Sequence, residues 1–163
     1  MVSLGKLSKT LLFTLLVPGV IAVVIPQVLA KWRPRPALPI NRSMARTLGW
    51  GSIALGSILY AHTAWEFVKG DGTPSPTDEP DALVTEGVYA YSRNPMYVAV
   101  LLVIAGQALL RRSVSALWWA AGMWIGFHNR VMGYEEPHLQ EKHGETYETY
   151  CEEVPRWVRI RRR

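Results

Sequence analysis

Cysteine is nearly absent from this chain: Cys151 stands alone among 163 residues. That excludes an intrachain disulfide and a cysteine-rich zinc site. The four histidines, His62, His128, His138 and His143, show no HExxH or comparable ligand spacing, so no metal site is expected. There is no GxSxG elbow, no P-loop and no GxGxxG following a strand, and Gly70-Asp71-Gly72 is a turn signal only. No internal repeat is visible. The net charge is +5, but the basic residues sit at the ends of apolar blocks and in the tail. With no basic patch on an evident soluble domain, nucleic acid is not an expected partner. A basic tail flanking apolar blocks instead suits membrane lipids.

What the chain does have is apolar sequence in blocks. Apolar residues make up 49%, with seven tryptophans. Thr10 to Ala30 is one run, long enough to span a bilayer, with Pro18 and Pro26 placed to kink it. Val28-Leu29-Ala30 resembles a signal-peptide cleavage site, but the apolar part is longer than a usual signal core. Residues 31–46 form a loop with five basic residues and three prolines. Thr47 to Val68 is the second run, and Gly49, Gly51 and Gly56 give it a small-residue face for close helix packing. His62 reads as a hydrogen-bonded packing residue and Glu66 as interfacial. Residues 69–82 are a polar, acidic linker rich in turn formers.

Pro95 to Leu110 and Val114 to Met132 are two further runs, separated only by Arg111-Arg112-Ser113. Helices joined so tightly form an antiparallel hairpin. The hairpin should return His128, Asn129 and Arg130 to the start of its first helix. That start follows the stretch LVTEGVYAYSRNPMY, residues 83–97. Gly87 there can take positive φ. Pro95 suits the first position of a helix, whose free N–H groups and positive dipole end favour an anionic group. Tyr89, Tyr91 and Arg93 also suit membrane-interface anchoring. After Met132, Glu136-Pro137 reads as a helix start. Leu139, His143, Tyr147, Tyr150 and Val154 fall on one amphipathic stripe that Pro155 ends. Trp157 and the arginines at 156, 159 and 161–163 suit an interfacial, lipid-phosphate-facing tail.

The expected fold is therefore all-α: a polytopic membrane bundle of four spans, with a C-terminal helical hairpin and an amphipathic C-terminal helix, in one domain over residues 1–163. One membrane face collects Tyr89, Arg93, Asn94, Tyr97, Asn129, Arg130, Glu135 and Glu136. Paired carboxylates and arginines beside lipid mark either an ion-pair cluster that knits helices or a polar ligand site.

Two motifs make the resemblance specific. G-x-Y-x-x-x-R-[HN]-P-x-Y falls on Gly87, Tyr89, Arg93, Asn94, Pro95 and Tyr97. R-x-x-x-x-E-E-x-x-L-x-x-x-x-G-x-x-Y-x-x-Y falls on Arg130, Glu135, Glu136, Leu139, Gly144, Tyr147 and Tyr150. Correctly ordered and separated by a hairpin, they resemble the integral-membrane methyltransferases, which include isoprenylcysteine carboxyl methyltransferase and the phospholipid N-methyltransferases. Asn94 stands where many relatives have His, Ala99 where Gly is common and His143 where Phe is usual. The resemblance covers residues 83–157. It implies an S-adenosylmethionine site in that half, with residues 1–68 as scaffold helices and a lipophilic small molecule or lipid as substrate.

The cofactor-binding set so implied is Tyr89, Arg93, Asn94, Pro95, Tyr97 and Glu136, and the catalytic pair is Arg130 and Glu135. Arg93 and the helix start at Pro95 would take the cofactor's carboxylate, and Glu136 its hydroxyls or amino group. Tyr89 and Tyr97 would cover the adenine. Arg130 would orient an acidic substrate group, and Glu135 would accept a proton or hold Arg130. Carboxyl methylation of an isoprenylated cysteine is one alternative; a non-catalytic membrane scaffold is another. A cytosolic cofactor places the catalytic face in the cytoplasm, in the cell inner membrane. The five basic residues of 31–46 pull against that orientation under the positive-inside rule.

Overall fold

The computed structural model describes residues 5, 8, 11, 12, 16–32, 37–70, 80 and 82–158. Most of the acidic linker (71–79 and 81), the loop residues 33–36 and the tail arginines at 159 and 161–163 lie outside the described residues. Among the described residues the fold is all-α; one isolated antiparallel bridge pairs Ala37 with Ser113. A π-helical turn, Val20–Val24, leads into α1 (Ile25–Trp32). Then come α2 (Arg42–Lys69), a 3-10 turn (Gly87–Ala90), α3 (Pro95–Arg111) and α4 (Val114–Arg130). A second π-helical turn, Val131–Glu135, carries the chain into α5 (Glu136–His143) and α6 (Glu145–Glu153).

Proline explains the first bend. Pro26 has no N–H, so the carbonyls one turn earlier lose their helical donor. Side chains of the hairpin satisfy them. Trp119 Nε1 donates to the Ile21 carbonyl at 3.0 Å, and Gln107 Nε2 donates to that of Ala22. The buried core here is Ala22, Val100 and Ile104, packed by Ile21, Tyr60, Trp119 and Phe127 among others.

The closest helix pair is α2 on α3. A Cβ on Gly56 would stand 2.7 Å from the Ala99 carbonyl oxygen, and one on Gly49 2.9 Å from that of Gly106. Only glycine permits that backbone approach. Gly51, expected on the same face, meets nothing within 4 Å. A helix turns about 100° per residue, so position 51 points well away from position 49.

The hairpin forms as its short connection dictates. Arg112 caps α3 in the left-handed conformation (φ 50°), and Ser113 caps α4 by accepting from the Ala116 N–H at 3.2 Å. Leu38 N–H donates to the Arg112 carbonyl at 2.9 Å, and Arg112 returns two guanidinium bonds to the Leu38 carbonyl. The loop around residue 38 is thereby fixed to the hairpin's turn, at the end opposite the start of α3.

One expectation changes, and a second is not confirmed among the described residues. The amphipathic C-terminal helix is two helices, because Gly144 adopts φ 53°, ψ −127° and breaks the path. The stripe still meets itself: Tyr147, Tyr150 and Val154 pack with Leu139 and Leu83 across the break. The second concerns the four spans. Among the described residues, no helix is long and apolar enough to cross a membrane. The hairpin helices are 17 residues each, about 26 Å at 1.5 Å per residue. In the longer α2, Arg42, Arg46, His62, Glu66 and Lys69 dilute the apolar run.

Candidate active site

The hairpin brings its two ends together, and the site forms where they meet. Gly87 takes φ 62°, and a Cβ there would stand 2.9 Å from Glu66 Oε1, so the 3-10 turn rests on α2. Glu66 is buried, and it pairs with Lys69 and His62 beneath this turn. Tyr89 is buried by the same contact, edge-on to Phe67 at 5.8 Å. The chain then reaches Asn94, the residue before α3. Its side chain makes no cap bond to the helix, so the α3 N–H groups are left facing outward beside Pro95. Asn94 Nδ2 donates instead to the Arg156 carbonyl at 3.0 Å.

Two charged networks line one cavity. In the first, Arg93 Nη1 lies 3.0 Å from Glu136 Oε1 and donates to Cys151 Sγ, with the Tyr147 hydroxyl at 3.5 Å. Arg156 forks onto the same carboxylate, Nε to Oε1 at 2.7 Å and Nη2 to Oε2 at 2.8 Å. In the second, Tyr97 donates its hydroxyl proton to Glu135, and Arg130 Nε donates to Glu135 at 2.8 Å and to the Tyr97 oxygen at 3.2 Å. Tyr97 stacks on Phe127 at 4.4 Å, and the Arg130 guanidinium lies 5.4 Å from the Tyr134 ring centre. Adjacent carboxylates serve separate networks because the π-helical turn Val131–Glu135 ends between them.

The cavity holds about 450 Å³, within the usual range for small-molecule sites. Its lining mixes charged and polar groups, among them Arg93, Glu135, Glu136 and Tyr147, with apolar ones, among them Val17, Pro18, Ile21 and Val100. Arg93 Nε is buried with no hydrogen-bond partner among the described residues. Burial holds the Tyr89 phenol far above its ordinary range and raises those of Tyr147 and Tyr150. Secondary contributions come from the neighbouring Tyr150 for Tyr89 and from Cys151 for Tyr147. All three therefore stay protonated donors at neutral pH; Tyr150 spends its proton on the Tyr89 carbonyl at 2.8 Å.

Every expected site residue thus lies in this region: Tyr89, Arg93, Asn94, Tyr97, Arg130, Glu135 and Glu136 line the cavity, and Pro95 begins the helix beside it. His128 returns nearby but stacks on Trp124 at 5.4 Å, outside the lining. Ala99 faces Gly56 rather than the cavity. The sequence reading missed Arg156, which it gave to the lipid-facing tail; the fork on Glu136 corrects that. The available signal was Pro155, which turns the chain back beside the start of α3, where Arg93 N–H meets the Pro155 carbonyl at 3.0 Å. Among the described residues, no group of histidines, cysteines or carboxylates is arranged to hold a metal ion.

Protein-S-isoprenylcysteine O-methyltransferase of Schizosaccharomyces pombe is 38% identical over 116 residues, 69% of this chain and 49% of that protein. Protein-S-isoprenylcysteine O-methyltransferase B of Arabidopsis thaliana is 38% identical over 82 residues, 50% of this chain and 41% of that protein. The chain spans about half the length of the curated relatives it matches. No solved structure matches it. The phospholipid methyltransferase family model matches residues 44–146, which include most of α2, the hairpin and both glutamates of the site, and the chain belongs to that family.

Proposed function

We propose that the chain catalyses S-adenosylmethionine-dependent methyl transfer to a lipophilic acceptor drawn from the membrane. One observation carries the reading: the 83–97 stretch and the 130–136 stretch, well separated in sequence, are joined by arginine–glutamate and tyrosine–glutamate contacts around a single cavity lined by both charged and apolar side chains. The residues present suit this cofactor. Among the described residues Arg93 Nε is a buried donor lacking an acceptor and Asn94 does not cap the α3 N-terminus, so a carboxylate is matched there. Glu136 offers an acceptor for amino or hydroxyl groups, and Tyr89 and Tyr97 offer ring faces. When bound, the cofactor supplies an activated methyl group on a sulfonium. The protein's task is then mainly to position two reactants. Arg130, at the more exposed end of the second network, orients an acidic acceptor, and Glu135 fixes Arg130.

The state of Glu135 favours one acceptor. Its carboxylate is held by both Arg130 and Tyr97, so it is poorly placed to take a proton from an amine. A terminal carboxylate, with an ordinary pKa near 3.5, needs no base at neutral pH. The carboxyl group of an isoprenylated cysteine meets that condition, and the names of both relatives carry the same substrate.

The exposed apolar side chains Leu16, Val20, Leu55, Ile58, Trp118 and Ile125, which cost least against lipid, support a membrane setting. In this reading the apolar segments cross as four passes, with tilt, local thinning and neighbouring helices accommodating the short hairpin. The catalytic end faces the cytoplasm.

Calorimetric and thermal-shift titration of the cofactor in detergent tests the enzyme reading. Saturation should stabilise the protein, by about 2.7 kcal/mol at a hundredfold excess over Kd. No stabilisation at millimolar cofactor would favour a scaffold. Methyl-labelled cofactor should label a farnesylated cysteine bearing a free carboxylate more than vesicles of amine-headgroup lipid. Arg130→Ala should lower turnover roughly 10- to 100-fold with cofactor affinity retained, as expected for loss of a charge-assisted contact. Unchanged turnover removes Arg130 from the catalytic pair.

A further inference from the structure

We infer that Arg156 is a positioning residue for the cofactor site, acting through Glu136; this rests on the reading of that cavity as the cofactor's. Arg156 is outside both sequence motifs and does not line the cavity. Yet it holds both oxygens of Glu136, which does line it. An unpaired carboxylate between buried tyrosines could swing onto Arg93 alone, both oxygens on one guanidinium. With Arg156 forked on one edge, Arg93 reaches only Oε1 from the other side, through Nη1. Arg93 Nε is then left without an acceptor among the described residues. The geometry therefore does two things at once: it fixes the direction of the Glu136 acceptor and it leaves a donor on Arg93 unspent for a ligand's anionic group.

The segment carrying Arg156 is itself anchored. Arg93 N–H meets the Pro155 carbonyl at 3.0 Å, and Asn94 Nδ2 meets the Arg156 carbonyl at 3.0 Å. The following residue, Trp157, packs against His128 with ring centres 6.1 Å apart. The backbone of this strap is thus tied to the turn before α3 and its indole to the end of α4. These anchors do not need the Arg156 side chain, so the guanidinium can be removed with the strap still held. Nearly a third of the side chain remains exposed, so its loss opens no large core void. The hydrogen bond to Glu136 raises the already high pKa of the Arg156 guanidinium further.

The test measures S-adenosylmethionine affinity by calorimetry and kcat and KM separately, in the full chain, for Arg156→Ala, Arg156→Lys, Glu136→Gln and the Arg156→Ala/Glu136→Gln double variant. Arg156→Ala should weaken cofactor binding roughly 10- to 100-fold, with kcat at saturating cofactor changed by less than about threefold. Lysine keeps the charge but loses the fork and should restore only part of the affinity. The double variant should bind no worse than Glu136→Gln alone, since Arg156 has then nothing to position. Guanidinium ion added to Arg156→Ala should recover affinity at concentrations that leave the wild type unaffected. Equal affinity for wild type and Arg156→Ala, or additive losses in the double variant, would overturn the inference. A folded wild type that fails to bind the cofactor overturns the enzyme reading instead. If Arg156→Ala does not fold, the Lys variant and its kcat–KM split still decide.

Discussion

At the scale of single residues, the site depends on phenols kept neutral by burial. Tyr89, Tyr147 and Tyr150 all have their pKa raised, chiefly by desolvation. In the unfolded chain each would titrate near 10. Above that pH the unfolded state releases protons that the folded state keeps, so stability is full below about pH 10 and is lost as pH rises further. Melting in detergent between about pH 8 and pH 11 should therefore show a plateau and then a fall. Tyr150→Phe should lower the plateau by about 0.5–1.5 kcal/mol through the lost bond to the Tyr89 carbonyl, and make the alkaline fall shallower. A fall equally steep in Tyr150→Phe would remove Tyr150 from this account. Much of the residue chemistry was legible beforehand. Gly87 was free to take positive φ and does; Arg93, Glu135 and Glu136 beside apolar sequence called for pairing or solvation, and they are paired. The pairings themselves were not legible. Which arginine meets which glutamate depends on the phase of the π-helical turn and on Pro155 turning Arg156 inward. Neither leaves a periodic signal in the sequence.

At the scale of elements, the hairpin was legible because a three-residue connection between two apolar runs leaves few alternatives. The break at Gly144 was not, since the apolar stripe continues through it with helical spacing. Packing of α2 on α3 falls between these cases. Three glycines suggested one face, but helical phase puts Gly49 and Gly56 on one side and Gly51 on another, and the folded pair shows only the first two against α3. This difference gives a paired prediction. Gly56→Ala forces a Cβ to 2.7 Å from a backbone carbonyl that cannot move without shifting α3. It should cost about 1–3 kcal/mol. Gly51→Ala meets nothing within 4 Å and should gain about 0.5–1 kcal/mol from helix propensity. Thermal melting of the two variants side by side checks both signs; a loss at position 51 equal to that at 56 would mean the two glycines share one contact face after all.

At the scale of the whole molecule, the two ends of the bundle differ in chemistry. One end carries the Arg93–Glu136–Arg156 and Arg130–Glu135 networks. The other carries the Leu38–Arg112 clasp, which fixes the loop around residue 38 to the hairpin's turn. The length of α3, about 26 Å, separates them. If the bundle crosses a membrane, residue 40 and the site must therefore face opposite compartments, whichever way the protein is inserted. Two forces then compete over orientation. Five basic residues in 31–46 favour that loop in the cytoplasm, while a cytosolic cofactor demands the site there. The basic tail beyond Trp157 counts on the side of the site and offsets the loop. Reporter fusions should accordingly find residue 40 outside and residue 163 in the cytoplasm. Neutralising tail arginines 161–163 should raise the fraction of inverted molecules, and neutralising Arg33 and Arg35 should lower it. A cytoplasmic residue 40 paired with an external tail would leave the cavity without access to its cofactor and would defeat the four-pass arrangement.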